Sequence, residues 1–254
     1  MKVRIRFIKR GPIQYIGHLD LMRYFQKVFR RCGLDVAYSK GFNPHQLLSF
    51  ASPLGVGLTS IGEYLDATLN SFNIINTANE LSITEWISRI NEYSNDMVIV
   101  TAIIVMPDDI KPSMSLLSAA SYIISFSDET LPERITDYFN NTDRITFTKV
   151  SKKSTSEIDL KENIFIVTES RDIYDEKMSV IATYDPANEK NYMDYLEINH
   201  PLYVMCAAGS SINIKPEMLV EAYMKSTEVS DIEYDIIRLD MFTSGERSYI
   251  SMAK

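Results

Sequence analysis

Residues 3–33 read VRIRFIKRGPIQYIGHLDLMRYFQKVFRRCG, and two periodicities within them decide the fold class. Val3, Ile5 and Phe7 alternate with Arg4 and Arg6. This is the period of two of a half-exposed strand. Gly11-Pro12 breaks it. From His18 to Cys32 the period lengthens. At about 100° per residue, Leu21, Met22, Phe25, Val28, Phe29 and Cys32 fall on one side of a helix, and Asp20, Arg23, Lys27, Arg30 and Arg31 on the other. Gly33 suits the helix end, and Arg30 and Arg31 suit its negative C-terminal pole.

Outward from this pair, Gly41-Phe42-Asn43-Pro44 is a turn signature. Leu47–Ala51 and Tyr64–Leu69 read as strands separated by Gly55–Gly62. Ala78–Tyr93 reads as a second amphipathic helix with Leu81, Trp86, Ile87 and Ile90 inward, and Met97–Met106 as an apolar strand. The order suits a ferredoxin-like βαββαβ sandwich, mostly antiparallel with helices on one face. Pro107–Ser115 is the best domain boundary. A similar order follows it: strand Ser121–Ser127, helix Pro132–Asn140, strand Arg144–Ser151, strands near Ile164–Thr168, Ser179–Tyr184 and Leu202–Ala207, helix Pro216–Met224 and strand Tyr234–Met241. The expectation is an α+β protein of two ferredoxin-like subdomains, a basic one over 1–110 and an acidic one over 116–254. Val150-Ser151-Lys152 faintly echoes Tyr38-Ser39-Lys40, and whether the halves are duplicated stays open.

The charge is unevenly placed. Residues 1–70 hold ten Lys and Arg against four acids, so +6, while the whole chain carries −8. A cationic end on an anionic protein points to an anionic partner, with nucleic acid or nucleotide phosphate foremost. Two cysteines and three histidines among 254 residues cannot supply a disulfide framework, a four-thiolate cluster or a dedicated zinc site, so no cofactor or metal is expected. No apolar run reaches the ~18 residues of a membrane span, and the start lacks a signal peptide's apolar core, so a cytoplasmic protein is expected.

Three segments carry chemical potential. Gly17-His18-Leu19-Asp20 opens the first helix, whose free N–H groups favour an anion. His18 is readable as a capping or buried residue, or as an acid–base group near neutral pH. Arg23, Lys27, Arg30 and Arg31 form a stripe with Asp20 alone to balance it, readable as a solvated face or a phosphate-binding one. Tyr38-Ser39-Lys40-Gly41-Phe42-Asn43-Pro44-His45 is the densest polar loop. Gly41 permits an anion nest, Asn43 suits a base edge, Tyr38 and Phe42 suit stacking, and His45 suits a phosphate; the plain alternative is a well-made turn. Glu63 and Asp66, three apart on a strand, point to opposite faces and make no carboxylate pair. His200-Pro201 is loop punctuation, and Cys206, in an apolar strand, is expected to be buried and inert.

VRIRFIKRG at 3–11, HLDLMR at 18–23, YSKGFNPH at 38–45, SFASPL at 49–54 and EYLD at 63–66 closely resemble the bacterial radical-SAM-linked family. Asp35 stands where that family has proline, and Gln46 and Leu47 stand where it has a proline–basic pair. The resemblance implies a context beside B12-binding radical SAM proteins and implies no reaction. The element order also resembles CRISPR repeat-processing proteins at the level of fold, but Gly209-Ser210-Ser211 is too sparse for their glycine-rich loop, which counts against a catalytic endoribonuclease. The leading expectation is an RNA-binding accessory beside a radical SAM protein, with no membrane contact. An RNA-processing or phosphate-handling enzyme with His18 or His45 as acid–base and Arg23 or Arg30 on phosphate is the second. A docking subunit for a radical SAM enzyme is the third.

Overall fold

β1 (Lys2–Lys9) and α1 (His18–Cys32) form where the two periodicities place them. The computed structural model describes residues 1–150, 155–193, 196–246 and 248–254. Val3, Ile5 and Phe7 enter one core with Leu21, Phe25, Val28, Phe29 and Cys32 of α1, and the Phe7 and Phe25 rings meet edge-on at 4.8 Å. Gly33 ends α1 in the left-handed region at φ 76°, where a Cβ would be strained. The chain divides into two compact units, Met1–Leu116 and Leu117–Met252.

In the first unit, a 3₁₀ turn (Gly11–Tyr15) links β1 to α1. Then come β2 (Leu34–Val36), β3 (Leu48–Phe50), β4 (Thr59–Ile74), α2 (Ile83–Glu92), β5 (Val98–Met106) and the short α3 (Ser113–Leu116). β1 lies between β4 and β5, antiparallel to both, and β2 and β3 both pair antiparallel with β4. The strand read as Tyr64–Leu69 is longer than expected. It has partners along its whole length, from Lys9 opposite Ser60 to Leu34 opposite Ile74. α2 starts later than read because Ser82 and Glu85 close a capping box there. The Ser82 hydrogen bonds hold the Glu85 carboxyl below its ordinary range.

β1 is not half-exposed. Arg4, Arg6 and Lys9 are as buried as the apolar residues between them. Arg4 Nε donates to Asp66 Oδ1 at 2.9 Å across the strand pair, and Lys9 Nζ donates to the Gln14 carbonyl at 3.2 Å. Period two reports which face a side chain takes. It does not report whether that face is covered.

In the second unit, β6 (Leu117–Phe126), α4 (Leu131–Asn141), β7 (Thr146–Val150), β8 (Thr155–Asp159), α5 (Leu160–Asn163) and β9 (Ile164–Thr168) come first. α6 (Arg171–Ile181), β10 (Ala182–Thr183), α7 (Pro186–Met193), β11 (Pro201–Ala207), α8 (Glu217–Thr227), β12 (Tyr234–Ser244) and β13 (Tyr249–Ser251) follow. β12, β6, β11 and β9 lie side by side, antiparallel throughout; β7 and β8 form a separate hairpin. The strand expected at Ser179–Tyr184 is a correction. Residues up to Ile181 complete α6 and only Ala182–Thr183 is extended. Ser170 caps the Ile173 N–H, Arg171 pairs with Asp175 one turn on at 2.8 Å, and Tyr174 and Met178 bury one side. Of the Val150-Ser151-Lys152 echo, Ser151 and Lys152 lie outside the described residues, as does the last residue of the strand read as Arg144–Ser151. The fold is mixed α+β with mostly antiparallel strands. Among the described residues, no helix is long and apolar enough to cross a membrane.

Candidate functional site

Tyr38–His45 forms the tip of a hairpin whose limbs are tied rung by rung. Ala37 N–H donates to Thr68 O of β4 at 2.7 Å, Leu47 N–H to Ala37 O at 2.8 Å, and Ser39 N–H to His45 O at 2.8 Å. Ser39 Oγ accepts the His45 N–H at 3.1 Å and lies 2.9 Å from His45 Nδ1. The turn therefore closes on its own polar side chains, the alternative to a longer ladder that serine readily offers. Gly41, at φ 118°, takes a conformation that a Cβ would strain. Lys40 through His45 are all exposed. Phe42 stands at the tip with its ring fully in solvent, and Tyr38 is half exposed. A large aromatic held in water by an ordered turn is the feature of this loop that folding alone does not account for.

The stripe on α1 faces outward. Arg23 pairs with Asp20 at 3.0 Å, Arg30 Nε donates to Gln26 O at 3.2 Å, and Lys27 and Arg31 are exposed. Arg23 and Lys27, with Tyr24, Ile16 and Met97, line an open groove of about 430 Å³. His18 is the first residue of α1, and its ring meets Phe50 of β3 edge-on at 5.2 Å. His45 precedes the other end of β3 and is held by Ser39. The two histidines thus have different surroundings, whereas Ser39, Asn43 and His45 belong to one turn.

Behind the return limb of the hairpin is a cavity of about 260 Å³. Its walls are His45–Ser49, Lys2 of β1, Asp66–Thr68 of β4, and Met106 with Ile110–Pro112. Lys2 Nζ donates to Ile110 O at 2.9 Å, and Asp66 Oδ2 accepts the Ser113 N–H at 2.7 Å while Oδ1 holds Arg4. These bonds fasten the segment after β5 across the end of the sheet. Gln46, only 5% exposed, lines this cavity, and its buried Oε1 has no hydrogen-bond partner. Of the residues of this cavity, sequence reading singles out His45 as a site candidate and does not link it to the others. Gln46 is marked only as a departure from the family pattern, and nothing local links Lys2 to Lys111.

Both cysteines are buried. Burial raises the Cys32 thiol and pushes Cys206 up to about 12, in keeping with an inert role. The second unit holds a polar cluster that sequence reading also misses: Arg171 bridges Asp175 at 2.8 Å and the buried Glu189 at 3.2 Å, and Tyr174 stacks on Tyr203 at 5.0 Å. Each charge there has its counter-charge, the pattern of a structural network.

The first unit of this α+β protein thus presents basic side chains on the outer face of α1 and an exposed aromatic at the tip of a hairpin. The chain belongs to the DUF2344 family, described as an uncharacterized protein conserved in bacteria, whose model matches residues 2–216. No curated protein matches it.

Proposed function

We propose that this protein is a cytoplasmic RNA-binding accessory whose first unit, read as a ferredoxin-like sandwich, holds RNA by phosphate contacts and stacking. The observation that carries the reading is Phe42, fully exposed on a turn fixed by Ser39 and His45 and flanked by Lys40. Base–aromatic stacking needs an accessible, pre-ordered ring, and backbone contacts need exposed surface cations such as Lys27 and Arg31. The resemblance to radical-SAM-linked proteins supports a radical SAM enzyme, acting on tRNA or rRNA, as its working partner. A shared His18–His45 acid–base centre has less support, since one ring packs on Phe50 and the other on Ser39.

The test is binding of a labelled single-stranded RNA to the full chain between about 50 and about 200 mM salt. Saturable binding that weakens steeply with salt, and that Phe42→Ala weakens about fivefold or more at unchanged melting temperature, is the expected result. Absence of binding at the lowest salt defeats the reading.

A further inference from the structure

We infer that the cavity behind the hairpin is a pocket for one nucleotide, with the base against the apolar walls and the phosphate on the lysines. This deepens the RNA-binding reading and rests on it for the source of the nucleotide, but the site is argued from its own residues.

The first observation is Gln46. Its amide oxygen is buried, faces no donor in the protein, and belongs to a side chain that lines the cavity. Buried acceptors are almost always satisfied, and a small turn of the Gln46 amide toward the cavity that it lines would give this one a ligand's donor. An amide also carries a donor and an acceptor in one plane, and a nucleobase edge offers the complementary pair.

The second observation is the composition of the walls. Leu48, Met106, Ile110 and Pro112 present apolar surface, which suits the faces of a heterocycle and is poor lining for a bare inorganic ion. Size agrees. The cavity holds about 260 Å³, just under the ~300 Å³ at which drug-sized pockets begin, so it takes one base and its sugar rather than a longer stretch of chain.

The third observation is charge. Lys2, His45 and Lys111 all border the cavity. The one carboxylate there, Asp66, is already held by Arg4 and the Ser113 N–H, and Lys2 bonds a neutral carbonyl rather than a carboxylate. The local balance is cationic, and an anionic group on the ligand completes it. An apolar box with an amide inside and cations at its edge fits a nucleotide better than a neutral apolar ligand or free phosphate. His45 belongs to both the hairpin and the cavity wall, so an RNA strand stacked along the hairpin has a path by which one splayed-out nucleotide enters.

The experiment is calorimetric titration of the full chain with the four nucleoside 5′-monophosphates, the matching nucleosides, inorganic phosphate and a short single-stranded RNA. Gln46→Leu and Lys111→Gln are compared by the same titration, with melting temperature as the check on folding. The expected result is saturable binding of at least one monophosphate, no competition by inorganic phosphate at equal concentration, and about tenfold weaker binding in Gln46→Leu. Lys111→Gln, at an exposed position that leaves the fold intact, is expected to weaken the monophosphate several-fold and the nucleoside little. RNA competing with the monophosphate assigns the pocket to a nucleotide within RNA. Monophosphate binding without RNA binding supports the pocket for free nucleotide and defeats the RNA reading alone. RNA binding with no monophosphate binding at millimolar concentration overturns the pocket and leaves the RNA reading standing. Unchanged monophosphate affinity in Lys111→Gln also overturns it.

Discussion

The Ser39 hydroxyl holds His45 twice, lying 2.9 Å from its ring nitrogen Nδ1 and accepting its backbone N–H at 3.1 Å. One small side chain therefore fixes both the backbone and the imidazole at the base of the exposed turn. The consequence is pre-organisation. Lys40, Phe42 and Asn43 are carried on a closed loop, which lowers the ordering cost of any contact they make.

Ser39→Ala is expected to loosen this turn without unfolding the unit. Partly exposed hydrogen bonds contribute about 1 kcal/mol each at most, so global stability falls by no more than about 2 kcal/mol. The amide of His45 is expected to exchange much faster. RNA affinity is expected to fall as the turn loses its order. Unaltered amide exchange in the variant contradicts the account of the turn.

The α1 stripe makes a quantitative statement about salt. If Arg23 and Lys27 each neutralise a phosphate, replacing both by Gln lowers the slope of log affinity against log salt by about 0.7–0.9 per contact. Gln keeps helix propensity, and these side chains face solvent, so stability is expected to hold within about 0.5 kcal/mol per site. An unchanged slope at a preserved melting temperature makes the stripe an ordinary solvated face.

The Arg4–Asp66 pair ties together β1, β4 and the start of α3. Removing the carboxylate with Asp66→Ala leaves the guanidinium of the buried Arg4 without its charge partner and frees the Ser113 N–H. The expected loss is about 3 kcal/mol, the low end for a broken buried pair because Asp66 is partly exposed. Chemical denaturation measures it. Arg4→Met in the same chain is expected to recover a good part of the loss, since the uncompensated charge is then gone.

Cys32 and Cys206 are expected to resist a thiol reagent at pH 8 in the native protein and to react fully in denaturant. Burial raises both thiols, Cys206 to about 12, so the thiolate fraction is small and access is blocked. The sign follows from the raised values: reactivity is low below the folded pKa and appears only as pH rises toward it. Fast labelling of the folded protein at pH 8 contradicts this burial.

Much of the first unit is legible residue by residue. Leu21, Phe25, Val28, Phe29 and Cys32 recur at helical spacing, and Gly33 ends α1 in the left-handed conformation that its place after Arg30-Arg31 implies. The turn at Gly41–Pro44 and the outward stripe are legible for the same reason, because turn chemistry and amphipathic faces are local properties of the chain. α6 escapes sequence reading altogether, which places a strand at Ser179–Tyr184 and no helix directly before it. Ser179–Ile181 is β-prone by composition, and the Ser170 cap and the burial of Tyr174 and Met178 outweigh that propensity.

The sequence by itself determined the α+β class, the aromatic–basic loop and the cationic helix face, since each follows from periodicity and side-chain chemistry within a few residues. Only the tertiary structure decided that Arg4, Arg6 and Lys9 are buried, and that Lys2, Gln46, Asp66 and Lys111 surround one cavity. Those relations join residues up to 109 positions apart, as in Lys2 and Lys111, through strand pairing and a fastened crossover segment. A local pattern sets which way a side chain points; what it meets there depends on the packing of distant segments against it.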